Sequence, residues 1–428
     1  MCKRTLVLIY LILPLFITGC FDSRELGDFA YVTALGIEQG ISDTYRLTFY
    51  IPQFGQSVSG SAKKESEGGG GDGGKSEEME IITVDASSLL SAVAITNSNL
   101  SKDLNFMHLK IIVISEDLAK NDMLAEAITP LIRYRHIRRT TNVIVSKEKA
   151  EEFIKELKPY PGELITTTLE ELFENSRKIG YFHRSTLNDL YCEIKSPYHA
   201  LLMTYGAINK EDNLKSEGDY YKGEPNIPGN YLAGEVPRKG GSKIELLGSV
   251  VFDGDKMVGK LTGFETQMLH LVRGELFFGP FSITDPEKPD VAIPLDITEF
   301  DKPVVKVDLS GENPKIYVKL KFEGDLVSIQ SGIDYETPDK LPKVEEAFEK
   351  YLIKGIKDTF EKCKEMKADV FDFGTTAVIQ FRTIPEWEEY NWLDKFSKSE
   401  LEVDVDFTIR RTGKLLRNGS VFSSEGKE

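Results

Sequence analysis

Residues 109–115 read Leu-Lys-Ile-Ile-Val-Ile-Ser, an almost unbroken aliphatic run. It is too short for a buried helix, and its β-branched content fits a strand covered on both faces. A strand of that kind needs helices on each side of its sheet. The flanking sequence supplies them. Residues 116–134 form an amphipathic helical pattern with Pro130 as an internal break or kink. A second strand is predicted at 142–146, a helix at 147–157 and mostly helical material at 159–195. Upstream, 29–38, 45–51 and 81–84 read as strands and 86–97 as a helix. Residues 20–205 are therefore expected to form an N-terminal α/β region.

Residues 206–244 read as a linker or long loop, because 215–242 are rich in Gly, Pro, Asn and charge. Beyond it, 245–252 and 257–261 flank Asp253-Gly254-Asp255-Lys256, a hairpin signal. A short helix at 264–272 and strands at 276–283, 291–297, 304–309 and 315–322 follow. In the last strand Ile316, Val318, Leu320 and Phe322 alternate with Tyr317, Lys319 and Lys321, so one face is buried. Residues 342–367 give the strongest helix. Val344, Ala347, Phe348, Tyr351, Leu352, Ile356, Phe360 and Cys363 share one stripe. Pro342 is tolerated in its first turn. A closing strand at 401–411 completes a C-terminal α+β region over 245–415, with a tail at 416–428. The expected fold class is α+β and multi-domain; 428 residues exceed what one core usually holds.

The N-terminus carries a different signal. Lys3 and Arg4 precede the apolar run 6–17, which ends at Ile17-Thr18-Gly19-Cys20. The run is short for a membrane span and fits a signal-peptide core. The residues before Cys20 fit a bacterial lipobox, so 1–19 reads as a lipoprotein signal peptide and Cys20 as the lipid attachment site. Loss of 1–19 takes the formal charge from −16 to −18. Such acidity argues against nucleic acid as a partner and against a polybasic membrane surface. Residues 57–79, with Gly-Gly-Gly-Gly-Asp-Gly-Gly, read as a flexible insertion between two strands, not a phosphate loop. Four cysteines are no disulfide scaffold. Cys192 and Cys363 read as buried free thiols, with pairing across the fold left open.

No catalytic spacing emerges. The five histidines, His108, His136, His183, His199 and His270, show no metal-ligand spacing. There is no Gly-x-Ser-x-Gly and no Cys-x-x-Cys. Catalytic residues, metal and cofactor are accordingly none. Glu402, Asp404 and Asp406 share a strand face that reads either as a Ca²⁺ site or as a solvated face with cross-strand Lys partners. Arg133, Arg135, Arg138 and Arg139, with His136, make a basic knot in an acidic chain. It reads either as a helix end paired with carboxylates or as a contact for an anionic partner. His108 reads as a packing residue, and Trp387 and Trp392 as caps of the C-terminal core.

An ordered set of short matches carries a resemblance. Gly19-Cys20-Phe21-Asp22-Ser23-Arg24-Glu25-Leu26, followed by Ala30-Tyr31-Val32-Thr33-Ala34-Leu35-Gly36-Ile37-Glu38, resembles the opening of the Ger(x)C family. These are the C-subunit lipoproteins of spore germinant receptors. Phe21 stands where that family usually has Trp. Phe106-Met107-His108-Leu109-Lys110, the segment 133–139, Gly248-Ser249-Val250-Val251-Phe252, Ala368-Asp369-Val370-Phe371-Asp372-Phe373-Gly374 and Ile409-Arg410-Arg411-Thr412-Gly413 are similar to family segments in the same order. The resemblance implies about three domains, each a β-sheet with helices. It implies a non-enzymatic subunit, lipid-anchored on the outer face of the spore inner membrane. Its partners would be the integral-membrane A and B subunits of the receptor. The alternative is a solute-binding lipoprotein of a membrane transporter, which the strand-rich C-terminal half fits less well. An envelope hydrolase would need a nucleophile or metal motif, and none is found.

Overall fold

The aliphatic run at 109–115 builds the centre of a large mixed sheet. In chain order the strands are β1 (Phe29–Tyr31), β2 (Ala34–Gln39), β3 (Tyr45–Gln53), β4 (Glu78–Ala86), β5 (Asp103–Asn105), β6 (Ile111–Ser115), β7 (Asn142–Ser146) and β8 (Leu202–Ile208). They continue with β9 (Ile244–Asp253), β10 (Lys256–Leu261), β11 (Gly279–Thr284), β12 (Ala292–Phe300), β13 (Val304–Asp308), β14 (Lys315–Leu326) and β15 (Glu400–Arg411). The computed structural model describes residues 25–53, 78–215, 217–218, 220–276, 278–414, 422–423 and 426–427. The expected signal peptide 1–19, Cys20, nearly all of the insertion 57–79 and most of the tail 416–428 lie outside the described residues.

Eight strands form the first sheet in the order β10-β9-β8-β7-β6-β2-β3-β4. Its centre, β2-β6-β7-β8, is parallel, and antiparallel strands flank it on both sides. All five residues of β6 and of β7 are buried, as two-sided coverage requires. Ile112, Ile114, Val143 and Val145 pack on one face with Leu118, Leu124, Ile128 and Leu190. Ile111, Val113 and Ile144 pack on the other with Phe153, Ile154, Leu169 and Phe173. The expected linker 206–244 thus runs between two neighbouring strands, β8 and β9. Strand β9 bends at Gly248, whose φ is +81° and whose Cβ, if it had one, would meet Leu261 O at 2.4 Å. Its N–H donates to Tyr181 O at 2.7 Å.

The helix expected at 116–134 is two helices, Glu116–Lys120 and Leu124–Arg133. The interruption is at Asp122, with φ 54°, not at Pro130. Pro130 is tolerated because it is exposed, so water can reach the carbonyl its missing N–H leaves unpaired. The 86–97 helix begins only at Leu89, where Ser88 caps it through the Ser91 N–H. β4 takes the residues before it.

The second sheet has the order β11-β12-β14-β13, with β15 pairing β14 in parallel. Ile316, Val318, Leu320 and Phe322 are buried on the inner face, as alternation predicts. The helix Leu341–Glu365 crosses over from β14 towards β15 and buries Val344, Phe348, Leu352, Ile356, Phe360 and Cys363. Two of its carboxylates also serve β15. Glu349 accepts the Phe407 N–H at 3.0 Å and Glu345 accepts the Ile409 N–H at 2.8 Å. Four residues of helix rise about 6 Å and two residues of strand about 6.8 Å, so the spacings match. The helix Gly263–Arg273 connects the sheets, opened by a Thr262–Glu265 capping box and closed by left-handed Gly274. The architecture is α+β and multi-domain.

Both thiols are free, but only Cys363 is buried; Cys192 is exposed, against the reading of two buried thiols. Cys192 sits on the outer side of the helix Leu187–Glu193, whose Leu187 and Leu190 face inward. Burial pushes the Cys363 thiol up, so it packs as an inert apolar group.

Candidate functional site

The basic segment 133–139 is held by its apolar members. Arg133 closes the helix Leu124–Arg133, where a cation complements the helix dipole. Two turns follow, Tyr134 N–H to Leu131 O at 3.1 Å and Ile137 N–H to Tyr134 O at 3.0 Å. Tyr134 packs edge-on against Phe106 with centroids 5.6 Å apart, and His136 packs on Tyr134 at 5.7 Å. Ile137 is buried. With Tyr134 and Ile137 turned inward, Arg133, Arg135, Arg138 and Arg139 are all exposed.

Among the described residues, none of the four guanidinium groups forms an ion pair or a side-chain hydrogen bond. The carboxylate partners of one sequence reading are therefore absent there. The surface extends to the helix Leu187–Glu193. Lys195 Nζ lies 3.9 Å from the Tyr191 ring centroid. Its hydrogen bond lowers the Tyr191 hydroxyl, and the charges of Arg133 and Arg139 add to that effect. Unpaired guanidinium groups are strong, geometrically selective donors to carboxylate or phosphate. A shallow groove lined by Ala125, Glu126, Thr129, Pro130 and Arg133 adjoins them.

The other sequence candidates have structural roles. Lys319 pairs with Asp404 at 3.0 Å and Lys315 with Glu400 at 3.8 Å. Tyr317 stands opposite Glu402 and Lys321 opposite Asp406. Glu402, Asp404 and Asp406 therefore line a solvated, lysine-faced ladder. His108 is exposed and lies against Tyr31, centroids 4.5 Å apart. Trp387 and Trp392 are buried at 1% and 2% exposure. Trp387 Nε1 donates to Pro197 O at 3.0 Å and Trp392 Nε1 to Asp369 at 2.8 Å.

Those two indoles belong to a clasp. The loop 369–374 grips 197–200 through Ala200 N–H to Asp369 O at 3.0 Å and His199 Nδ1 to Asp372 at 3.1 Å. The Asp372 hydrogen bond raises the His199 imidazole. Gly374 lies so close to Tyr198 O that a Cβ would sit 1.8 Å from it. A second tie links the helix Glu116–Lys120 to β8 and β10. Glu116 accepts from Tyr205 and Lys260, each at 2.7 Å, and pairs with Lys120 at 2.6 Å.

One cluster escaped the sequence reading. His183 Nδ1 and His270 Nε2 lie 3.3 Å apart, and each is 3.5 Å from Glu275 Oε2. Both histidines are buried and Glu275 is half-buried. Burial pushes His270 down to about 3, so its ring is neutral. Burial works to raise the Glu275 carboxyl. The His183 hydrogen bond and the Arg273 guanidinium lead the interactions that outweigh it and hold the group well below the usual carboxylate range. His183 and His270 are 87 residues apart, so no local motif could reveal them.

Comparison with known proteins follows the same order along the chain. Residues 22–208 match the family model described as the spore germination protein N-terminal domain. Residues 247–413 match that described as spore germination B3/GerAC like, C-terminal. Spore germination protein KC of Bacillus subtilis (strain 168) is 27% identical over 431 residues, covering 98% of each chain. Spore germination protein B3 of the same organism is 23% identical, over 95% of this chain and 97% of the other. The crystal structure of the GerBC protein superposes with a TM-score of 0.51 at 19% identity, covering 91% of this chain and 100% of that one; this likeness is one of fold. Matched in order over both its halves, the chain belongs to the Ger(x)C family of spore germination proteins.

Proposed function

We propose that this spore germination protein is the lipid-anchored, non-enzymatic subunit of a germinant receptor. It acts with integral-membrane A and B subunits on the outer face of the spore inner membrane, anchored through Cys20. The observation that carries the reading is the match of both halves of the chain to spore germination families. Among the described residues, no helix is long and apolar enough to cross a membrane. A multiply acylated Cys20 would supply attachment, since each buried CH₂ contributes about 0.8 kcal/mol. The exposed arginines Arg133, Arg135, Arg138 and Arg139 are the surface we assign to an anionic segment of a partner subunit. The solute-binding alternative is not favoured, because the relatives are spore germination proteins along the whole chain.

The test is deletion of the gene followed by germination assays across single nutrients. Loss of the response to a subset of nutrients is expected. Normal germination with altered solute uptake would replace this reading with the transporter one. In parallel, Cys20→Ala should move the protein from the membrane fraction to the soluble one.

A further inference from the structure

The three-atom cluster at the end of the helix Gly263–Arg273 has the shape of a metal site. In a tetrahedral zinc centre with ligands at 2.0–2.1 Å, donor atoms stand roughly 3.3–3.4 Å apart. The triangle of His183 Nδ1, His270 Nε2 and Glu275 Oε2 has sides of 3.3, 3.5 and 3.5 Å. A hydrogen-bonded network explains these distances less well. Charge-assisted N–H···O contacts close to about 2.7–2.9 Å, and both contacts to Glu275 are longer.

The ring orientation points the same way. His270 Nδ1 lies 3.1 Å from Gly180 O. A carbonyl only accepts, so Nδ1 donates there and Nε2 is turned to the cluster.

The surroundings are those of an oriented ligand set. Gly180 O fixes the His270 tautomer, and Arg273 Nε holds the other Glu275 oxygen, Oε1, at 2.9 Å. Such outer partners set ligand direction and basicity. The His183 backbone is pinned as well, with its N–H on Ser249 Oγ at 3.2 Å and its carbonyl accepting from Thr204 Oγ1 at 2.5 Å.

We propose that His183, His270 and Glu275 form a Zn²⁺ site with one position open to solvent on the Glu275 side. Two imidazoles and one carboxylate suit zinc among the divalent ions. The ion would brace the fold: His183 lies in the segment alongside β8 and β9, whereas His270 and Glu275 end the helix that leads to the second sheet.

The test uses the untagged full chain purified in detergent, dialysed against metal-free buffer and titrated with Zn²⁺ alone. One Zn²⁺ per chain is expected, with a thermal midpoint that rises with free Zn²⁺. Co²⁺ should give the visible absorption of a four-coordinate ion. Glu275→Gln keeps the side-chain shape at a half-exposed position. It should weaken Zn²⁺ at least about 10-fold, a loss the pinning groups alone can produce, and abolish the Zn²⁺-dependent stabilisation. His183→Gln, checked for folding by circular dichroism, should do the same. Absence of stoichiometric Zn²⁺ on the wild-type chain, or unchanged Zn²⁺ binding in both variants, would overturn the proposal.

Discussion

The indole Nε1 of Trp392 donates to the fully buried Asp369 carboxylate at 2.8 Å. Gly374 and Phe373 add backbone N–H groups at 2.7 and 3.3 Å. Burial nonetheless dominates and pushes Asp369 up to about 6. The folded chain thus binds this proton more tightly than the unfolded one. Between about pH 4 and 6 the native state holds more protons here, so the contribution of this group falls as pH rises through that window and is flat above it. The total is on the order of 3 kcal/mol. Urea unfolding of wild type and Asp369→Asn at pH 4 and pH 7 measures it. The wild-type advantage should be larger at pH 4; a difference that does not change with pH refutes the assignment.

Gly374→Ala tests the clasp. Its Cβ would sit 1.8 Å from Tyr198 O, a backbone atom that cannot step aside. A loss of about 3 kcal/mol or more is expected, at the upper end of overpacking costs. Gly27→Ala is the control, since nothing lies within 4 Å of that Cβ. Thermal unfolding of the two should separate clearly.

The tie at Glu116 should respond differently to single and double changes. Lys260→Met leaves a largely buried carboxylate with only Lys120 and Tyr205. About 3 kcal/mol should be lost. Adding Glu116→Gln removes the stranded charge and should recover part of that loss in denaturant titrations. A double variant less stable than Lys260→Met would show that the carboxylate is not the source of the cost.

The arginine surface gives a function-specific outcome. Changing Arg133, Arg135, Arg138 and Arg139 together to Ala should cost no more than about 1 kcal/mol, because exposed unpaired side chains contribute little. Recovery with the membrane fraction through Cys20 should persist. Co-purification with partner subunits and nutrient-triggered germination should fall, and wild-type association should weaken as salt rises. Retained co-purification would remove this surface from the interface.

Local pattern carried much of the fold. The aliphatic run at 109–115, the alternation at 315–322 and the stripe from Val344 to Cys363 all lie where periodicity places them. Pairing was harder, because it is set between residues far apart. The hairpin after residue 244 reads as the start of the C-terminal region, yet it completes the first sheet through β8. The β14–β15 register joins strands separated by a 25-residue helix and three shorter ones. The break near residue 122 was misplaced because Pro130 is the stronger local breaker by chemistry, while Asp122 acts through a left-handed backbone. The arginine knot was visible as composition, but not its lack of partners. His183, His270 and Glu275 gave no signal until folding brought them together.

The Glu345 and Glu349 contacts have a consequence for the molecule among its neighbours. Among the described residues β15 pairs only with β14, so its outer rim is a twelve-residue template on which another chain could add a strand. The helix carboxylates occupy two of its amides, at Phe407 and Ile409. Along the rest, exposed Glu402, Asp404 and Asp406 keep the strand charged and solvated. That blunted rim guards against edge-to-edge aggregation between copies of the chain.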